Sequence, residues 1–217
     1  MPRPIPRLLA LLLAAAPPCA AAEDGAPAVD AAWIVQAVAR PAPSRTAFVE
    51  LRSSPMLRQP LRLEGEYRRE ADGRLVRQVH APYAETTTLE DGQATVERAG
   101  RAPRRIALAR APGLAAGRNG FGALLAGDAE RLQQHYTLHA EGGRQRWTLA
   151  LVPRDPRLAA SLARIVLHGR GAELRCVESR PVKGEPQRTL LAGAAAEAAG
   201  VTDATALAAL CRGDAAR

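Results

Sequence analysis

Few residues in this chain have types and spacings suited to catalysis. His135 and His139 stand four apart, a separation used by paired metal ligands. Their segment alternates as a strand, with His135, Thr137 and His139 on one face. No third ligand stands near, so both read as solvent-facing histidines. Glu50, Glu64, Glu66 and Glu85 are the candidates for paired carboxylates in acid–base work. Each sits among arginines and reads as a salt-linked surface charge. Ser53-Ser54 has no adjacent base. There is no G-x-S-x-G elbow, phosphate loop, H-E-x-x-H or C-x-x-C. The residues therefore assign no catalytic group, no metal ligand and no cofactor.

Two arginines and two cysteines carry more information. Leu61 to Arg69 alternates, with Leu61, Leu63, Gly65 and Tyr67 on one face and Arg62, Glu64, Glu66 and Arg68 on the other. Arg69 then falls at the end of the apolar face, where a charge is unexpected. With Arg77 on the return strand, three roles are open. The pair holds a headgroup, holds a helical lid through carbonyl hydrogen bonds, or snorkels to solvent. Cys176 and Cys211 are an even pair beyond an export-type leader, which favours a disulfide tying the tail to a late strand, with two separate thiols as the alternative.

The leader is residues 1–22: Arg3 and Arg7, an apolar run from Leu8 to Ala16, then Ala20-Ala21-Ala22. That run is too short to span a bilayer. The chain of 217 residues carries a net charge of +8, almost wholly through Arg, with Lys183 the only lysine. No dense basic run with interleaved aromatics appears, so nucleic acid is not an expected partner. A basic, soluble surface accounts for the surplus.

The elements that position these residues follow from pattern. Ala28 to Arg40 reads as a helix stopped by Pro41. Short strands follow at hairpin spacing from Thr46 to Ala109, with turns at Ala71-Asp72-Gly73 and Glu90-Asp91-Gly92. Pro112 to Asp128 is glycine-rich and loosely helical, a lid or an ordinary connecting helix pair, with Leu114, Phe121, Leu124 and Leu125 as its apolar contacts. Strands resume from His135, interrupted by a short helix that Asp155 caps and Pro156 opens. The Ala-rich tail, 194–217, is partly helical. About ten strands make a mainly β, antiparallel α+β fold with helices on one face, and a sheet this long should curl. Its apolar face is either a plain core or a trough for acyl chains, lined by Phe48, Leu61, Leu63, Tyr67, Leu75, Trp147, Leu149 and Leu151.

Several motifs resemble the periplasmic outer-membrane lipoprotein carrier (LolA) family, in a divergent branch. Phe48-Val49-Glu50 is similar to its F-x-Q strand, and Gly65-Glu66-Tyr67-Arg68-Arg69 to its G-x-(L/Y)-x-x-R strand. Pro82, Glu85 and Asp91-Gly92-Gln93 resemble its hairpin, Trp147 to Pro153 its L-x-P strand end, and Ile165 to Glu178 with Gly184 and Thr189-Leu190 its last strands. Arg69 departs from the pattern in being followed by Glu70, not Pro. The resemblance implies a LolA-like half-barrel over 23–193, an incomplete β-barrel with helices covering its mouth. It implies a non-enzymatic, monomeric periplasmic carrier. Its partners would be lipoprotein or lipid acyl chains, an inner-membrane transporter and an outer-membrane acceptor. Alternatives are service to a glycolipid or polyketide-type pigment exporter, an adaptor for such an exporter, or an accessory lipid hydrolase or acyltransferase.

Overall fold

The computed structural model of the chain describes residues 29–52, 57–90, 92–110 and 117–214. The expected leader, Ser53-Ser54 and Leu114 lie outside those residues. Alternation builds the sheet. β1 (Ser44–Arg52) and β2 (Leu61–Arg69) pair antiparallel from Ser44 opposite Arg69 to Arg52 opposite Leu61. This register sets Phe48 beside Gly65 and Glu50 beside Leu63, so these residues share a face with Tyr67 while Val49 and Leu51 point the other way. β3 (Leu75–Ala81), β4 (Glu85–Glu90), β5 (Gln93–Arg98) and β6 (Arg104–Ala107) continue as a meander. A second meander comprises β7 (Tyr136–Gly143), β8 (Arg146–Pro153), β9 (Leu162–Arg170), β10 (Glu173–Pro181) and β11 (Gln187–Leu191). β11 pairs with β1, joining the two into one antiparallel sheet of 11 strands with β6 and β7 at its edges.

The sheet is bent but not closed. Val96 on β5 and Leu151 on β8 line one cavity. In a flat sheet eight strand spacings of about 4.8 Å, roughly 38 Å in all, would separate those strands. Only a strong curl brings both to the same hollow, which makes the sheet an incomplete barrel.

Helices fill the inner side. Ala31–Val38 is capped by Asp30, whose carboxylate accepts the Trp33 N–H at 2.7 Å. The middle stretch forms a wide helical turn at Gly117–Gly122, then helices Ala123–Ala126 and Ala129–His135. Asp155 caps the short helix Pro156–Ala159, as its sequence predicts. Ile34, Val35, Leu124, Leu132 and Leu158 meet Phe48, Leu63, Trp147 and Leu149 in one core. The Asp128 cap carries the second middle helix through His135, so His135 ends a helix and does not share a strand face with His139.

The tail departs from the expectation of helices on one face. Ala192–Glu197 and Ala204–Arg212 cover the outer side. They bury Val49, Leu51 and Leu190 under Ala194, Ala198, Leu207 and Leu210. The central strands β1 and β11 are apolar on both faces, so both faces need covering. The Cys176–Cys211 disulfide pins this outer layer to β10 across a Cα–Cα distance of 5.1 Å. Arg62 adds a bond from its Nη1 to the Val201 carbonyl at 2.5 Å. Among the described residues no helix is long and apolar enough to cross a membrane.

Candidate functional site

One glycine decides how the inner wall is laid. A Cβ on Gly65 would stand 1.9 Å from the Gln78 carbonyl oxygen and 2.9 Å from the Phe48 ring. Without it, Phe48 lies across β2. Its ring centroid is 5.1 Å from that of Tyr67, which is 4.8 Å from that of Phe121. This aromatic run leads from the sheet to the helical cover.

Beside it opens a cavity of about 580 Å³. One flank is Leu75 and Leu89 from the first meander, with Phe121 and Leu124 above. The other is Leu151, Leu158, Leu162, Ile165, Leu167 and Val177. Of the residues expected to line an apolar trough, Tyr67, Leu75 and Leu151 border this hollow. Phe48, Leu63, Trp147 and Leu149 are packed into the core beneath it, and Leu61 lies against the same core. Trp147 is fixed there because its ring occupies the space a Cβ on Gly169 would fill, while its Nε1 donates to the Gly171 carbonyl at 2.9 Å. Of the lid candidates, Phe121 and Leu124 face the cavity. Leu125 is buried with Leu75, Leu89 and Leu108.

Arg69 and Arg77 do different work. Arg69 Nη1 donates to the carbonyls of Arg40 at 2.9 Å and Leu125 at 3.3 Å. The Arg40 oxygen lies just past the end of Ala31–Val38 and the Leu125 oxygen in the last turn of Ala123–Ala126, where helix carbonyls lack intrahelical donors and favour a cation. The charge on the apolar face is thus a clamp on two inner helices. Arg40 N–H donates to the same Leu125 oxygen at 2.9 Å, and Gln36 Nε2 donates to the Gly127 carbonyl at 3.0 Å.

Arg77 lies in the cavity wall. Its guanidinium sits 4.6 Å over the Phe48 ring and donates to Glu50 Oε2 at 3.0 Å. Burial would lower the Arg77 pKa, but Tyr67 and Glu50 outweigh it and the value rises. Burial pushes the Tyr67 phenol up, against the opposing pull of Arg77. Glu50 is 5% exposed and is not the surface charge its arginine neighbours suggested. The signal was present in the sequence: Glu50 follows Phe48 by two and must share its face. Both faces of β1 carry apolar residues, however, so the sequence left the inward face undecided.

The family model for the outer membrane lipoprotein carrier protein LolA-like family matches residues 21–215. The chain belongs to that family. The match runs through both tail helices as well as the sheet. Among solved structures, the chain is similar to the LolA superfamily protein NE2245 from Nitrosomonas europaea. Identity is 13% and the TM-score 0.37, over 72% of this chain and 73% of that one. It is similar also to MucB, at 19% identity and TM-score 0.39, over 74% of this chain and 55% of MucB. This chain thus spans about half the length of MucB, which has also been solved in a complex with MucA from Pseudomonas aeruginosa. A third is LprF from Mycobacterium bovis, at 12% identity and TM-score 0.32, over 78% of this chain and 94% of LprF. No curated protein sequence matches the chain.

In this LolA-like chain, one group with metal-ligand chemistry occurs among the described residues: His168, Glu178 and Cys211. Cys211 is in the disulfide, and Arg180 and Arg188 occupy the Glu178 oxygens at 2.5 and 2.6 Å, so the set has no free ligand pair. What the LolA-like cavity offers is desolvation. Each methylene placed in it would gain about 0.8 kcal/mol.

Proposed function

We propose that this LolA-like protein is a periplasmic carrier. It takes acyl chains of a lipoprotein, or of another lipid, into the cavity and shuttles them from the inner to the outer membrane. The observation that carries the reading is the pairing of an apolar hollow with a cover held by backbone-directed bonds from Arg69. A hollow this size falls within the roughly 300–1,000 Å³ of pockets that enclose a small ligand. A cover fastened by a few hydrogen bonds can open without unfolding the sheet, and a carrier must release what it binds. In this reading residues 1–22 are a cleaved export signal, and the mature chain works as a monomer between an inner-membrane transporter and an outer-membrane acceptor. It acts by binding rather than by catalysis.

Two experiments test this. Organic extracts of the protein purified from its native periplasm, read by mass spectrometry, should contain a stoichiometric acylated molecule. A fluorescent fatty acid should bind the wild type and lose at least tenfold in affinity in Val177→Glu and Leu162→Asp. Those two lining side chains are only partly buried, so the fold should survive the change. Clean extracts together with equal binding by both variants would end the carrier reading.

A further inference from the structure

The charges of the cavity wall are unevenly paired. Glu50 and Glu85 are its carboxylates among the described residues. Glu85 is paired with Arg98. Glu50 alone serves two guanidinium groups: Oε1 accepts from Arg52 Nε at 3.2 Å and Nη2 at 3.0 Å, and Oε2 accepts from Arg77 Nη2 at 3.0 Å. Arg52 and Arg77 thus share one carboxylate, leaving one positive charge in surplus in this cluster. Desolvated charge is costly unless matched by its opposite.

The cluster has a direction. Side-chain exposure rises from 7% at Glu50 to 17% at Arg77 and 42% at Arg52, so Arg52 marks the way out. Neutral polar groups flank it on the same face. Thr189 stands opposite Glu50 on β11, and Thr87 opposite Arg77 on β4. Toward the cover the lining is hydrocarbon, at Leu75, Leu89, Phe121 and Leu124, while Ser161, Ser179 and Gln187 add neutral polar groups elsewhere in the wall. Arg69 is not part of the patch, because helix carbonyls occupy it.

Volume limits the tail. A methylene displaces about as much space as a water, roughly 30 Å³, so 580 Å³ holds about twenty such groups. That is one long chain. We propose that the ligand is a single-chain amphiphile with an anionic head, a carboxylate or a phosphate. Its tail lies in the apolar hollow and its head meets Arg52 and Arg77. This inference rests on the reading of the hollow as an acyl site.

The test is calorimetric titration of the full, delipidated protein with a long-chain fatty acid, the alkyl phosphate and the fatty alcohol of equal length, and inorganic phosphate. Charge-assisted bonds should make both anionic amphiphiles bind about tenfold or more tightly than the alcohol. Arg52→Gln should remove that preference while leaving the alcohol's affinity and the circular dichroism spectrum unchanged. Arg52→Lys, which keeps the charge, should retain most of it. Equal affinity for acid, alkyl phosphate and alcohol would overturn the anionic head and leave the acyl site standing. Binding of none of the three tailed probes would remove the acyl site itself. Inorganic phosphate binding as tightly as the fatty acid would identify a free-anion site and overturn the proposal from the other side.

Discussion

Arg69→Met isolates the clamp. Methionine keeps most of the aliphatic stem, so packing along β2 changes little, but the Arg40 and Leu125 carbonyls lose their cation. A hydrogen bond to a charged group contributes about 1.5–3 kcal/mol. The 2.9 Å contact with Arg40 carries most of that, and the longer 3.3 Å contact with Leu125 adds little. The inner helices should therefore open more easily by about 2–3 kcal/mol, a population change of roughly 30- to 150-fold. The bond from Arg40 N–H to the Leu125 oxygen and the buried Leu124 and Leu125 remain, so the cover loosens without detaching. Hydrogen–deuterium exchange should show faster exchange at 120–127 and 31–40, with β8 to β10 unchanged. A bound fluorescent fatty acid should leave faster by a similar factor. Equal loss of protection across sheet and helices, or none at 120–127, would show that Arg69 supports the fold generally and is no clamp.

Other outcomes follow from the same contacts. Gly169→Ala places a Cβ about where the Trp147 ring now lies, 2.0 Å from its Cζ2, so it should cost about 1–3 kcal/mol in urea melts and shift the tryptophan emission to the red. Breaking the Cys176–Cys211 bond, by reduction or by Cys176→Ala with Cys211→Ala, opens a loop of separation 35. It should lower stability by about 3–4 kcal/mol on the chain-entropy account, with the tail helices exchanging first. His168 is half-buried, its Nε2 has no hydrogen-bond partner, and burial holds its pKa below 6.5. The unfolded chain therefore takes up a proton that the folded chain resists, so stability should fall as pH drops from about 6.5 toward the folded value. His168→Asn should flatten that part of the pH–stability curve, and an unchanged slope would acquit His168. For Glu178, burial would raise the pKa but Arg180 and Arg188 outweigh it and hold it low, so its contribution is present above about 4.5 and lost below as the carboxyl protonates. Glu178→Gln should shrink the loss of stability in acid.

Much of the fold was legible because its signals are local. The alternation of Leu61 to Arg69, the Asp155-Pro156 start and the glycine turns each act within a few residues. The structure supplies the register, which slipping β2 by one would break by turning Leu63 and Tyr67 outward. The role of Arg69 was legible only as an anomaly, with a lid clamp among its open options. Glu50 was misplaced, and the tail was left as partly helical. A strand apolar on both faces does not say which face turns inward, and an alanine-rich helix does not say what it covers.

Short stretches of the sequence set most of the strands, which side chains share a strand face, the Asp155 cap, and the presence of one charge where an apolar residue belongs. These are consequences of side-chain period and backbone hydrogen bonding over short distances. The curl that brings β5 and β8 to one hollow belongs to the tertiary structure. So do the division of the apolar residues into a sealed core and an open lining, and the gathering of Glu50, Arg52 and Arg77 from β1 and β3. Those features depend on how far strands distant in the chain bend toward each other and on which face each covering helix takes, and neither quantity is written in any short stretch of residues.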